Sequence, residues 1–288
     1  MLRRVTCAIA IGSLFAMSCS AQHRTYDTEL EGSYEYDESY GYDDVYSDVG
    51  MFAELDVYGD WIHVGTYGWV WRPAVSAAWQ PYYHGHWAWT EYGWMWISYE
   101  PFGWAAYHYG YWDYHGRTGW IWIPGYEWAP NRVTWYVDGG LVCWAPLTPA
   151  GAHIGDPWTA QGPRFWVVVE ADNFTSPDVA RYRVKPERFK SQRGSQRESM
   201  RASNSPPPRR TIEKVTRSRV ETVPVTLERR RAAGREFARP TLPAEQQRLV
   251  EKNKVRMPAK ASKAKKLRGD RRESAKPKQE RGKGKGRG

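Results

Sequence analysis

Gly68-Trp69-Val70-Trp71 recurs twice in the chain, as Gly93-Trp94-Met95-Trp96 and as Gly119-Trp120-Ile121-Trp122. Each copy follows a second phrase, Gly-x-Trp, which begins at Gly59, Gly85 or Gly110. Successive copies of either phrase are 25 or 26 residues apart. A fixed period of this length indicates a repeat built from one supersecondary unit.

The repeated unit is interpreted as a β-hairpin. Side chains alternate along a strand, so Trp69 and Trp71 fall on one face and Val70 on the other. Tryptophan is favourable in strands, and glycine-containing breaks bound each run. Further strands are predicted at 133–137 and 141–144. The sequence therefore predicts an all-β domain over residues 51–190, made of repeated antiparallel hairpins arranged as a meander or as a small barrel or sandwich.

Residues 1–21 are typical of a signal peptide, because two arginines precede a short apolar run and small residues follow it. That run is too short to anchor the chain stably across a bilayer. Ala16-Met17-Ser18-Cys19 resembles a bacterial lipobox without the usual leucine, which predicts a lipid on Cys19. The alternative is an ordinary cleavage site and a free chain that begins at Gln22. Both interpretations imply export, to the periplasm or to the outer membrane as a lipoprotein.

Charge is segregated along the chain. Residues 24–60 carry 12 Asp or Glu and one Lys or Arg, whereas residues 181–288 carry 11 acids and 35 bases. The acidic, tyrosine-rich residues 22–50 have few aliphatic side chains and are predicted to form a disordered tether. Residues 191–288 are predicted to be a basic, mostly disordered tail, with possible short helices at 227–237 and 243–255.

The basic tail predicts binding by charge. Each Lys or Arg near an anionic lipid surface contributes about 1 kcal/mol. The same residues would bind nucleic acid through its phosphates, but export argues against nucleic acid as a partner. The expected partners are the membrane, through the lipid on Cys19, and anionic lipid or lipopolysaccharide, through the tail. These features together predict a non-enzymatic scaffold of the cell envelope.

Residue patterns for catalysis are weak. Four histidines could in principle hold zinc, but the repeat places tyrosines at equivalent positions: His84, His86, His108 and His115. Glu100 and Glu127 are candidates for a glycosidase pair only if the repeats bring them together. Cys143 lies in an apolar run and is interpreted as a buried small hydrophobe. We therefore predict no catalytic residue, no cofactor and no metal site.

The tryptophan surplus is the remaining functional signal, since 15 of the 17 tryptophans lie within residues 61–144. One interpretation is that they pair across strands, at roughly 0.2–1 kcal/mol per pair. The other is that exposed rings stack on a repeating polymer, which for an exported protein is a polysaccharide such as peptidoglycan. The second interpretation selects Trp61, Trp87 and Trp112, because the glycine two positions earlier would leave one ring face uncovered. A glycan-binding module is thus the alternative function.

Several phrases resemble those of one known family, in the same order along the chain. They include Phe52-Ala53-Glu54-Leu55, the first repeat through Pro73, residues 99–104 and residues 140–147. Over about residues 51–190 the chain resembles bacterial exported proteins that carry a domain of unknown function, number 6600. The resemblance implies export and the repeat domain. It implies no activity, so no catalytic residue is transferred from it.

Overall fold

The computed structural model describes residues 49–138, 140–151, 162–185 and 203–257. Most of its regular structure is β-strand, which confirms the predicted all-β class. The strands are β1 Gly59–Val64, β2 Gly68–Pro73, β3 Gly85–Thr90, β4 Gly93–Ser98, β5 Tyr111–His115, β6 Gly119–Ile123, β7 Val133–Asp138, β8 Leu141–Pro146, β9 Val167–Glu170, β10 Thr226–Ala232 and β11 Arg235–Thr241. The predicted signal peptide, Cys19 and the acidic segment before residue 49 lie outside the described residues.

Short helices connect or follow the strands. The α-helices are α1 Gly103–Ala106, α2 Gly162–Phe165, α3 Arg209–Thr216 and α4 Ala244–Asn253. The 3₁₀ helices are Gly50–Val57, Ala171–Asn173 and Val179–Tyr182. The first of these leads directly into β1.

Four hairpins carry the same cross-strand pair of tryptophans. The pairs are Trp61–Trp71, Trp87–Trp96, Trp112–Trp122 and Trp135–Trp144. The two strands of the fourth hairpin, β7–β8, were predicted, but not as a further copy of the repeat. Its signature is weakened because Val133 and Leu141 stand at the two positions where the other copies have glycine.

The hairpins do not follow one another in a simple meander. The first and third join into one sheet of order β1-β2-β6-β5, through a contact between Trp71 and Trp122. The second hairpin, β3-β4, forms its own sheet, and β7-β8-β9 form another. Among the described strands no sheet closes into a barrel.

Tryptophan rings dominate the core, and several of their indole N–H groups donate to backbone carbonyls, whereas those of Trp87 and Trp96 have no acceptor among the described residues. Trp71, Trp122 and Trp144 are fully buried. The indole N–H of Trp71 donates to the Leu55 carbonyl at 3.1 Å, and that of Trp144 donates to the Tyr82 carbonyl at 2.9 Å. A buried donor without an acceptor costs about 1–3 kcal/mol, so these bonds stabilise one orientation of each ring.

Glycine is required where the first two copies of the pattern begin because the cross-strand indole lies against the backbone there; at Gly110 the close atoms belong to the backbone of Ile123 and Gly125. A Cβ placed on Gly59 would lie 2.5 Å from Trp71 Nε1. A Cβ on Gly85 would lie 2.6 Å from Trp96 Cζ2 and 2.5 Å from the Ile97 carbonyl oxygen. In the first two hairpins, the glycine of Gly-x-Trp thus makes room for the second tryptophan of Gly-Trp-x-Trp.

We expect Gly85→Ala to lower the free energy of unfolding by about 1–3 kcal/mol, because the added methyl overlaps a buried ring and a carbonyl. Gly65→Ala is the matched control, since a Cβ at Gly65 meets no atom within 4 Å. It should change stability by less than about 0.5 kcal/mol. Urea unfolding followed by tryptophan fluorescence measures both. Equal losses in the two variants would contradict this account of the glycine.

The prediction of a mostly disordered tail is wrong for residues 203–257, which form a helix, a hairpin and a second helix. The helix predicted at 227–237 is instead the hairpin β10–β11. Its loop is Ala233-Gly234, with φ of 48° and 75°, and positive φ at both positions is the geometry of a tight hairpin turn. The helix predicted at 243–255 is confirmed as α4.

This C-terminal segment packs on the repeat domain. Ile212 of α3 and Phe237 of β11 are buried, and Phe237 lies 5.6 Å from the Trp104 ring. Backbone bonds extend two strand edges: Ser203 pairs with Trp135, and the Val223 N–H donates to the Trp89 carbonyl at 2.8 Å. Residues 203–257 are therefore part of the fold.

Truncating Ile212 tests this docking. Because Ile212 is 1% exposed, Ile212→Ala should lower the free energy of unfolding by about 2–5 kcal/mol. Val215 lies on the same helix and is 39% exposed, so Val215→Ala should be nearly neutral. Thermal unfolding of the full chain compares them. If both variants melt like the wild type, α3 does not contribute to the core.

Candidate functional site

The three tryptophans predicted to form exposed platforms are not equivalent surface rings. Trp87 and Trp112 are each 1% exposed. Trp61 is half-buried, and its indole N–H donates to Asp56 Oδ1 at 2.9 Å. The space beside Gly59 and Gly85, which was expected to uncover a ring face, is filled by the cross-strand indole. The platform prediction is therefore wrong.

A second aromatic pair repeats closer to the turn of the first three hairpins. Its ring-centroid distances are 5.5, 5.3 and 5.4 Å and its interplanar angles are 81°, 81° and 75°, in the pairs His63–Trp69, Trp89–Trp94 and Tyr114–Trp120. We call this the turn-side pair. In the fourth hairpin the equivalent residues are Val137 and Val142. The turn-side pair thus has one edge-to-face geometry in three different surroundings.

In the second hairpin the C-terminal segment covers the turn-side pair. The Trp94 indole N–H donates to the carbonyl of buried Pro207 at 2.8 Å. The guanidinium of Arg209 lies 5.9 Å from the Trp89 ring centroid. The ring of Phe174 packs on Trp94 at 4.7 Å. This pair therefore holds a proline-rich segment of its own chain.

In the third hairpin the turn-side pair borders a cleft of about 430 Å³. The cleft is lined by Asp60, Arg72 to Ala77, Trp79, Tyr114 and the turn from Gly116 to Trp120. Asp60 and Arg72 form an ion pair at 3.2 Å on one side. Small-ligand sites have volumes of roughly 300–1,000 Å³, so this cleft is large enough for a ligand.

Aromatic packing fixes the inner side of the cleft. Trp112, one of the predicted platforms, lies behind it and contacts Trp79 at 5.4 Å and Trp120 at 6.3 Å. Trp120 is 5% exposed, and its indole N–H has no acceptor among the residues that the structure describes. The Arg164 guanidinium donates to the Tyr114 hydroxyl at 2.8 Å and lies over its ring. The inner side of the cleft is thus preformed, and the Trp120 indole nitrogen is buried behind it.

A buried carboxyl group anchors the other aromatic wall. Glu100 accepts a hydrogen bond from the Trp79 indole N–H at 2.5 Å and another from the Tyr107 hydroxyl. Burial raises the pKa of Glu100 to about 7, and the two hydrogen bonds oppose that rise only in part. Burial and the neighbouring Glu100 also raise the pKa of Tyr107. Protonation of Glu100 therefore stabilises the core beneath Trp79.

The pH dependence of stability follows from this shift. In the unfolded chain Glu100 titrates near 4.5, whereas in the folded protein it titrates near 7. Its stabilising contribution is therefore complete below pH 4.5 and is lost as the pH rises to 7. We expect the difference in unfolding free energy between wild type and Glu100→Gln to fall by on the order of 3 kcal/mol over this range.

Using the difference between the two proteins removes the histidine contributions. Burial lowers the pKa of both His86 and His108 to about 4. These histidines therefore make the folded protein less stable as the pH falls. Chemical unfolding at several pH values measures both proteins. A difference that stays constant between pH 4.5 and 7 would show that Glu100 titrates normally in the fold.

The remaining candidate residues are structural in their contacts. His86 lies 2.8 Å from both the Tyr99 hydroxyl and Gln246 Oε1, which joins α4 to β3. Cys143 is buried, as predicted. Glu100 is buried whereas Glu127 is exposed, so the two carboxyls lie in different environments. In the described part of the chain no three His, Cys, Asp or Glu side chains are grouped as metal ligands.

Sequence patterns alone do not predict the cleft. Trp120 belongs to the repeated tetrapeptide, but its partner position is occupied by His63, Trp89 or Tyr114, so no letter pattern marks the pair. An alignment of the three hairpins that allows for their different turn lengths would have placed the two residues of the turn-side pair opposite each other. Trp79 lies between hairpins, where only the fold brings it against the third hairpin.

Residues 52–151 match the model of a family described as Family of unknown function (DUF6600). The chain carries a DUF6600 domain. The matched range contains all four tryptophan-paired hairpins and the residues that line the cleft. Comparison with curated proteins and with solved structures finds no match. Within the described residues, no helix has the length and apolar character needed to cross a membrane.

The DUF6600 match ends before β9 and before the C-terminal segment. That segment nevertheless contributes Ile212, Val225 and Phe237 to the buried residues. Residues outside the matched range thus pack on the DUF6600 domain and bury part of its surface.

Proposed function

We propose that this protein is a non-enzymatic scaffold of the bacterial cell envelope, exported by its signal peptide and held to the membrane by a lipid on Cys19. Its DUF6600 domain carries a basic C-terminal region that binds anionic envelope surfaces, either lipid or lipopolysaccharide. The function rests on electrostatic attachment, and it requires no cofactor, metal or catalytic residue.

The observation that carries this proposal is a fixed, exposed run of arginines. Arg229, Arg230 and Arg231 lie on β10 and are all exposed. Arg230 forms an ion pair with Glu228 at 2.8 Å, and the three side chains stand in one rigid hairpin. Residues 203–257 carry 14 Lys or Arg and six Asp or Glu.

Strand β11 attaches this hairpin to the domain. The Tyr109 hydroxyl donates to the Ala238 carbonyl at 2.7 Å and accepts from its N–H at 2.8 Å. Arg239 forms an ion pair with Glu54 at 3.0 Å and lies 4.5 Å from the Trp104 ring centroid. A basic strand held in this way presents its charges without ordering a flexible chain, so less conformational entropy is lost on binding.

Neutralising the three arginines tests the proposal. The chain from residue 22 onward, with Arg229, Arg230 and Arg231 changed to Gln, should bind phosphatidylglycerol vesicles about tenfold more weakly, or weaker still, at about 0.1 M salt. The reason is that each basic group near an anionic surface contributes about 1 kcal/mol. Vesicle co-sedimentation measures the affinity, and thermal melting checks that the fold is kept.

Changing the same three residues to Lys is the matched control, because it retains the charge and should retain binding. Binding by wild type that persists in about 1 M salt, where the Debye length is about 3 Å, would reject the charge mechanism. The lipid is tested by the intact mass of the exported protein. A Cys19→Ala variant that still carries lipid mass would exclude Cys19 as the attachment site.

A further inference from the structure

One face of β10 carries two arginines that form no ion pair within the described part of the chain. Arg230 pairs with Phe237 across the hairpin, and Phe237 is buried against the repeat domain. Because side chains alternate along a strand, Arg229 and Arg231 lie on the opposite face. Both are exposed. This face, which we call the arginine face, therefore presents two neighbouring guanidinium groups to the solvent.

The N-terminal end of the described structure lies beside the same hairpin. The 3₁₀ helix Gly50–Val57 is next to β10. Its Glu54 forms an ion pair with Arg239 of β11 at 3.0 Å. The segment that ends at residue 48 is therefore attached to the domain close to β10–β11.

Residues 33–48 contain both kinds of partner that a guanidinium group prefers. They hold six Asp or Glu, five Tyr and no Lys or Arg. Carboxylates form short, charge-assisted hydrogen bonds with arginine, and the faces of aromatic rings attract its positive charge. Six arginines of the described residues already lie over aromatic rings, among them Arg239 over Trp104 at 4.5 Å. Residues 33–48 thus complement the arginine face in charge and in ring content.

The length of the acidic segment permits this contact. An extended chain spans about 3.3–3.6 Å per residue, so residues 33–48 reach roughly 50 Å from their attachment. The seven residues of β10 span only about 23 Å, at about 3.3 Å per residue. Groups joined by a short linker have an effective concentration in the millimolar range. Several contacts acting together are therefore stable, although a single exposed ion pair is weak.

We propose that the acidic, tyrosine-rich residues 33–48 bind to the arginine face of β10, with their carboxylates paired to Arg229 and Arg231 and their tyrosine rings packed on the guanidinium groups. The contact depends on this chain alone, whereas its effect on attachment rests on the proposed function. A lipid or lipopolysaccharide surface must displace the acidic segment before β10 binds it. Attachment is thus favoured where anionic groups are dense.

Zero-length cross-linking tests the contact without a membrane. Carbodiimide joins a carboxylate to a lysine amine only when the two groups touch, so the chain from residue 22 onward is prepared with Arg229→Lys and Arg231→Lys. Mass spectrometry should locate cross-links between residues 33–48 and these two positions. Lys214, exposed on α3, is the internal control, and its yield should be at least about fivefold lower. In about 1 M salt the cross-links at positions 229 and 231 should be lost.

Vesicle binding tests the effect on attachment. A segment variant changes each Asp or Glu of residues 33–48 to Asn or Gln in the chain from residue 22 onward. It should bind phosphatidylglycerol vesicles about fivefold more tightly than wild type, or tighter still, at about 0.1 M salt. The same changes combined with Arg229→Gln, Arg230→Gln and Arg231→Gln should alter binding by less than about twofold, because the covered arginines are absent. This cycle separates competition at β10 from general repulsion between the acidic segment and lipid.

Two results would overturn the proposal. Cross-links at positions 229 and 231 that are no more abundant than at Lys214 would show tethering without a contact. An equal gain in vesicle binding with and without the three arginines would show repulsion alone. If the cross-links form while neither wild type nor the segment variant binds vesicles, the contact stands and the envelope scaffold fails. If vesicles bind and no cross-link forms, the scaffold stands and the contact fails.

Discussion

The packing of a tryptophan edge against a glycine of the facing strand is the constraint on which the repeat depends. At Gly59 and Gly85 the indole of the partner strand occupies the volume that a side chain would need. In these two hairpins the contact holds the paired tryptophans together. The indole donors of Trp71 and Trp144 reach backbone carbonyls outside their own hairpins. The indole is long enough to pack in the cross-strand pair and to place its N–H against a carbonyl of another segment, so one ring makes a local and a tertiary contact.

That constraint explains which part of the fold was predictable. The period, the hairpins, their turns and the all-β class follow from glycine and tryptophan spacing, which acts over a few residues. The join between β2 and β6 does not follow from this spacing, because Trp71 and Trp122 occupy the same position in the repeat as Trp96 of the second hairpin, whose strands form a separate two-stranded sheet. The choice between them is made by packing across the whole domain.

The errors in the site prediction have the same origin. An unpaired surface ring and a buried ring are equally compatible with Gly-x-Trp, so Trp87 and Trp112 could be assigned to a surface. The C-terminal segment was misjudged for another reason. Its arginine run favours helix locally, but the Ala233-Gly234 turn and the buried Phe237 stabilise a hairpin against Trp104. A few apolar side chains are enough to order this segment because they pack on an aromatic surface that the repeat domain already provides.

Repeated hairpins of one geometry acquire different roles through what covers them. The turn-side rings of the second and third hairpins differ by about 0.1 Å in separation, yet the Trp94 indole is bonded to Pro207, whereas the Trp120 indole nitrogen is buried beside a cleft and has no acceptor among the described residues. The repeat sets the position of the indole N–H, and segments outside the repeat determine whether a carbonyl of the same chain accepts its hydrogen bond. Because the covering residues 203–257 lie beyond the DUF6600 match, this determinant belongs to the part of the chain that the family pattern does not describe.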